Sequence, residues 1–167
     1  MNESKNVNKV IITGCPGTGK TTLADEIGKC LDLEVIHIDQ YYIKNKGLSK
    51  GYDEIRESIE VDLEKLKEKL KDKEGVIESH LLCEFNLKKS IVIVLRCDTG
   101  ELKKRLEKRG YSEDKIKENL ESEIFNYCGE EARSNYGENK VYELDTTDKT
   151  VEENKSKIVN IIKSNQS

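Results

Sequence analysis

The run Gly14-Cys15-Pro16-Gly17-Thr18-Gly19-Lys20-Thr21 is the segment best equipped for chemistry, and it fits the pattern G-x-x-x-x-G-K-[ST]. Its glycines let consecutive backbone N–H groups converge on an anion without Cβ clashes. A helix that follows adds the unpaired N–H groups and positive end of its first turn. Lys20 supplies a mobile charge for the outer phosphates of a nucleoside triphosphate, and the Thr21 hydroxyl can ligate Mg²⁺. A glycine-rich turn without a ligand is the plain structural alternative. The flanking elements favour phosphate binding, because a β-branched run precedes the glycines and a helical pattern follows them.

Arginine usage adds to this. The chain has 24 Lys but five Arg, at Arg56, Arg96, Arg105, Arg109 and Arg133. Arg105 and Arg109 stand at i, i+4, so both planar guanidinium forks can reach one helix face and grip phosphate as Lys cannot. Ordinary ion pairs with Glu101 and Glu107 are the alternative. A further cluster is Glu78-Ser79-His80, at the end of a short apolar strand. Glu78 can hold a Mg²⁺-bound water or polarise an attacking water, and His80 can hydrogen-bond a phosphate or that water. His37, at another strand end, reads as a strand cap. Cys15, near Lys20 and a helix N-terminus, is expected to have a lowered thiol pKa unless it is only a small residue tolerated in a tight loop.

The elements that must position these groups follow from periodicity. Strands are predicted at 9–13, 33–38, 76–79, 91–97 and 140–144. Helices are predicted at 20–31, 61–73, 100–108, from Ser112 to about Tyr136, and 151–162, while 40–58 reads as short helices and loops. Strands alternating with helices predict an open α/β fold with a parallel sheet covered on both faces.

Length and composition set the outer bounds. The 167 residues suit one domain, and the net charge of −4 argues against a nonspecific nucleic-acid binder. The longest aliphatic run, 91–95, falls far short of the ~20 residues of a membrane span, and the first residues lack a secretory h-region. Five scattered cysteines without C-x-x-C suggest free thiols in a reducing, cytoplasmic setting. No N-K-x-D supports a GTPase, and the chain is short for a usual ABC or AAA module, which leaves small phosphotransferases.

The segments IITGCPGTGKTTLADEIG, EVIHID, GVIESH, VLRCDTGELKKRLEKRGYSEDKIKENLESEIFNYCGEEARSNYG and KVYELDTT together resemble the small archaeal and eukaryotic adenylate kinases of the nuclear isoenzyme type, involved in small-ribosomal-subunit maturation. The resemblance runs from Lys9 to Thr147. It implies a P-loop NTPase fold of the nucleoside monophosphate kinase type, with a five-stranded parallel sheet, an NMP-binding segment at about 37–60 and a short lid at about 108–118. It implies broad-specificity adenylate kinase activity with ATP, AMP and Mg²⁺, an ATPase activity, and transient contact with the platform protein of the small subunit and with pre-ribosomes. Residue by residue, it places ATP on Gly17, Gly19, Lys20, Thr21, Thr22 and Arg109, and a D-x-H-like motif on Glu78 and His80. Lys20, Glu78, His80, Arg105 and Arg109 are then the expected catalytic set, with Thr21 and Glu78 toward the metal. Three departures stand out. Glu78 replaces an Asp common in relatives, Cys15 replaces a Thr, and the NMP segment lacks an expected Arg near Lys44–Asn45.

Overall fold

The structure, a computed structural model, describes residues 6–56 and 58–166. β1 (Lys9–Gly14) leads through the glycine-rich loop into α1 (Lys20–Leu31), and β2 (Val35–His37) and α2 (Gln40–Asn45) follow. A hairpin of β3 (Ser49–Asp53) and β4 (Ser58–Val61) precedes α3 (Leu63–Leu70) and β5 (Gly75–Glu78). A 3₁₀ turn at His80–Glu84 leads to β6 (Ser90–Arg96), α4 (Thr99–Lys108), α5 (Glu113–Ile124) and α6 (Tyr127–Tyr136). β7 (Val141–Asp145) and α7 (Val151–Gln166) close the chain.

Five strands form one parallel sheet in the order β2-β5-β1-β6-β7. Side chains alternate across it with period two. Ile11, Ile77, Val92 and Val94 face Leu66, Leu70, Leu82 and Tyr136 on one side, the side of α3 and α6. Val10, Ile12, Val76, Ile93 and Leu95 face Leu23, Ile27, Ile158 and Ile162 on the other, the side of α1 and α7. Both faces are dry, which is why the strands read as unbroken apolar runs. A smaller cluster of Cys15, Cys97, Leu102, Leu106 and Ile116 ties α4 and α5 to the loop.

Register decides what gathers at the carboxyl ends. His37 pairs with Glu78 across β2 and β5, Ile12 with Glu78 across β1 and β5, and Gly14 with Leu95 across β1 and β6. Partners in register point to one face, so His37 and Glu78 both lie on the α1 side, continuing Val35 and Val76.

Two expectations are corrected here. The stretch 40–58 is not loops and short helices alone, because β3 and β4 form an antiparallel hairpin with a register shift between Ser49 and Gly51. β3 is almost wholly exposed, so no apolar alternation marks it in sequence. The long helix expected from Ser112 to about Tyr136 breaks at Asn126, which adopts φ 51. Asn tolerates this left-handed conformation better than most residues. Its amide donates to Glu143 on β7, and the redirected α6 packs back across the sheet. Gly129 makes the crossing possible, since a Cβ there would sit 2.3 Å from both Asn126 Oδ1 and Glu143 Oε1.

Candidate nucleotide-phosphate site

The loop between β1 and α1 is shaped by three glycines. Gly14, Gly17 and Gly19 have φ of 142°, 89° and 97°, all disfavoured for side-chain-bearing residues. Gly14 also lies so close to β6 that a Cβ would approach Leu95 O at 2.6 Å. Gly19 is the N-cap of α1 and offers no side-chain cap, so the first-turn N–H groups are left for an anion. Thr18 braces the loop from within, its hydroxyl donating to Cys15 O at 2.8 Å. Thr146, just after β7, braces it from outside by donating to Thr18 O at 3.4 Å.

Lys20 curls back over this loop, and its ammonium donates to Cys15 O at 2.9 Å. Burial lowers its pKa, opposed by the charge of Glu78 and reinforced by the positive charge of Arg109. Glu78 is buried and takes the Thr21 hydroxyl at 3.1 Å on Oε1. A threonine hydroxyl that donates to a carboxylate keeps its lone pairs for a cation. Thr21 and Glu78 are hard oxygen donors, the kind that suit Mg²⁺ when phosphate and water complete its shell. No cluster of three or more His, Cys, Asp or Glu able to hold a metal occurs among the described residues.

His37 departs from its reading as a strand cap. Its Nδ1 lies 2.8 Å from Glu78 Oε1 and its Nε2 lies 2.7 Å from Asp25 Oδ1. Burial alone would lower its pKa, but these two carboxylates outweigh burial and raise it. Asp25 was missed in the sequence, although it stands at i+4 from Thr21 on α1. That spacing was the available signal.

His80 opens the 3₁₀ turn after β5. Its ring keeps contact with solvent at the mouth of the site, while the protein packed around it and the charges of Lys20 and Lys115 push its pKa down to about 4. It is a neutral hydrogen-bonding group at pH 7. Arg105 splits between the two expectations: its NH1 donates to Gly17 O at 3.1 Å, and its Nε pairs with Glu101 at 3.3 Å. Arg109 is exposed at the C-cap of α4, near enough for its charge to act on Lys20. Thr22 lies exposed in the first turn of α1.

The lowered pKa expected for Cys15 is wrong. Burial, and then the charge of Glu123, push the thiol up to about 12. The loop turns this side chain toward Leu102 and Leu106 rather than toward the phosphate side. All five cysteines are free, and only Cys30 is exposed. A cleft of about 900 Å³ opens at the ends of β6 and β7, between Asp98–Lys104 and Asp145–Asp148.

A family model described as an AAA domain matches residues 10–126. The length argument against a usual AAA module therefore does not extend to the P-loop core that this model describes. An adenylate kinase isoenzyme 6 homolog from Schizosaccharomyces pombe is 39% identical over 165 residues, covering 96% of this chain and 93% of its own. The chain belongs to the adenylate kinase isoenzyme 6 family. A putative adenylate kinase from Methanothermobacter thermautotrophicus, on the archaeal side of that family, is 44% identical over 148 residues, or 86% of this chain and 83% of its own. Among solved structures, shikimate kinase from Acinetobacter baumannii superposes with a TM-score of 0.66 at 16% identity, covering 97% and 96% of the two chains. Thymidylate kinase from Candida albicans gives 0.60 at 12%, covering 97% and 94%. The isoenzyme 6 family member described here thus has the α/β P-loop fold of nucleoside monophosphate kinases, with a five-stranded parallel sheet. No helix among the described residues is long and apolar enough to cross a membrane.

Proposed function

We propose that the protein is an adenylate kinase that transfers the terminal phosphate of ATP to AMP and accepts other monophosphates more weakly. The observation that carries this reading is the joint placement of Lys20, Thr21 and Glu78 around a glycine loop of the required conformation. The names of its relatives, adenylate kinases at 39% and 44% identity, support it.

In this reading the loop N–H groups and Lys20 bind the ATP phosphates, with Gly17, Gly19, Thr21 and Thr22 contributing from the loop and the first turn of α1. Thr21 and Glu78 would hold Mg²⁺, which when bound neutralises charge on the transferring phosphate. Segment 37–60 holds AMP so that one of its phosphate oxygens attacks the terminal phosphorus in line with the departing ADP oxygen. Segment 108–118 is the lid, and Arg105 and Arg109 approach the phosphates from α4. Catalysis here is positioning and charge neutralisation. The test is conversion of ATP and AMP to ADP by the purified protein, with CMP, GMP and UMP as competing acceptors. Formation of ADP from AMP fastest of the four is expected, and no transfer to any acceptor would reject the reading.

The neutral His80 favours a second use of the same site as an ATPase, because it can orient a water beside Glu78. On the resemblance, that activity serves maturation of the small ribosomal subunit and its 16S rRNA, through contact with the subunit's platform protein. The free thiols suit a cytoplasmic setting. His80→Ala should lower hydrolysis more than AMP phosphorylation, by about 1–2 kcal/mol of barrier. Equal loss of both activities would show that His80 positions the nucleotide, leaving the ATPase without its water-orienting group.

A further inference from the structure

The polar chain Asp25–His37–Glu78 joins a helix to two strands at the edge of the site. Its three residues come together for separate reasons. Register sets His37 beside Glu78 on neighbouring strands. Asp25 stands one helical turn beyond Thr21 on α1, so both side chains share the face turned toward Glu78. The imidazole spans the gap, 2.8 Å from Glu78 Oε1 and 2.7 Å from Asp25 Oδ1.

The contacts on Glu78 are lopsided. Oε1 meets both the Thr21 hydroxyl and the His37 ring, whereas Oε2 accepts no hydrogen bond from any described residue. A glutamate has one more rotatable bond than an aspartate, so an unrestrained Glu78 would sample several positions at the strand end. Groups that hold or orient reacting atoms need placement to within about 0.5 Å, which supporting hydrogen bonds supply.

We propose that Asp25 and His37 are positioning residues for Glu78: they clamp Oε1, so that Oε2 is left to face the cation that Glu78 and Thr21 would share with the ATP phosphates. The proposal rests on the role given to Glu78 in the kinase reaction above. Asp25 orients the ring, and the ring fixes the carboxylate. The longer side chain of Glu78 is thereby held as firmly as a shorter one would be. A pair that merely pinned the edge strand β2 would affect stability without selecting a kinetic step.

The test compares Asp25→Ala, Asp25→Asn, His37→Phe and Glu78→Gln with the parent. Each protein is assayed for ATP–AMP transfer, and for Mn²⁺ affinity in its complex with a nonhydrolysable ATP analogue, read by electron paramagnetic resonance. Asp25 is 48% exposed, so its variants leave no cavity and fold. Asp25→Ala and His37→Phe are expected to lower kcat about tenfold and to weaken Mn²⁺ by a similar factor, with KM for ATP within about twofold. Asp25→Asn keeps an oxygen that accepts from the ring and should stay within about threefold of the parent. In the Glu78→Gln background the Asp25→Ala loss should vanish, because no carboxylate remains to be aimed. Parent-level kcat and Mn²⁺ affinity in Asp25→Ala and His37→Phe, with Glu78→Gln impaired, overturn the clamp alone. Losses that multiply with Glu78→Gln also overturn it. Parent-level activity in Glu78→Gln overturns the role of Glu78 itself, and the clamp with it.

Discussion

The loop end of the sheet and the segment from α2 through β4 are built on opposite plans. Around the loop, Ile12, Leu95, Leu102 and Leu106 are wholly buried, and Gly14 and Gly17 lie close against Leu95, Leu102 and Leu106. In the segment that we assign to AMP, Tyr41, Tyr52 and Ile55 are exposed, Ile55 at 93%, and the hairpin pairs only with itself. The donor side is thus held by packing before any ligand arrives. The acceptor side is held by a few anchors, chiefly Ile43 and Leu48. Transfer between two nucleotides needs one rigid partner and one that can close around the second, and elements with few buried contacts supply such motion.

Removing charge from the rigid side should have the largest effect. Lys20→Ala is expected to lower phosphate transfer and ATP hydrolysis together by at least about a hundredfold, the scale of losing one preorganised donor to a developing anion. Rates for both reactions, measured on one preparation, check this. Loss of one activity alone would mean that the two do not share the loop.

Stability draws the same contrast more finely. Leu95→Ala should cost about 2–5 kcal/mol in urea unfolding, because a fully buried side chain leaves a cavity under the loop. Ile55→Ala should stay within about 0.5 kcal/mol, since that side chain is already in water. Equal costs would show that the hairpin is packed in solution as the loop is.

Arg109→Lys keeps the charge but loses the planar fork, and transfer should slow by about tenfold. A rate within about twofold of the parent would leave Arg109 as a surface residue of α4.

The two histidines sharpen the comparison by pH. His80 has its folded pKa lowered to about 4. Its contribution to stability is therefore present above its unfolded value of about 6.5 and is lost as pH falls through the folded value. His37, with a raised folded pKa, contributes fully below about 6.5 and loses that contribution as pH rises through its folded value. Unfolding between pH 7 and 4 should show His80→Gln losing less stability than the parent on acidification, and His37→Phe losing more. The smallest effect is chemical. Alkylation at neutral pH should modify Cys30 first and Cys15 slowly, because only Cys30 is exposed and the Cys15 thiol is raised to about 12.

The donor side was legible in the chain because its constraints are local. A glycine spacing, a lysine and a threonine occupy eight consecutive residues, and the strands beneath them are short unbroken apolar runs. The buried Glu78 was legible from its place at a strand end. The Asp25–His37 connection was not, since it depends on which strands become neighbours, and order β2-β5-β1 is a property of the sheet. The hairpin was missed because β3 is almost wholly exposed and β4 turns only two half-buried side chains, Ile59 and Val61, toward the core. The break at Asn126 was missed because the helical pattern runs on through Phe125, and the partner that stabilises the turn, Glu143, lies on another element. The thiol of Cys15 was misjudged for a related reason: proximity in sequence to Lys20 said nothing of the side on which the loop would bury it.

The pairing of Gly14 with Leu95 also has a consequence for how the molecule comes into being. As the chain leaves the ribosome, the loop emerges well before the strand that forms its floor, which follows some eighty residues later. Its other neighbour, β5, is almost as remote. When it emerges, the loop segment can make α1, yet it has no surface against which to hold the glycines in their unusual conformations. Closing such distant parallel pairs is slow compared with forming helices. Competence to bind nucleotide should accordingly appear late and abruptly, when β6 docks, so stalled chains ending before Ser90 should not retain ATP.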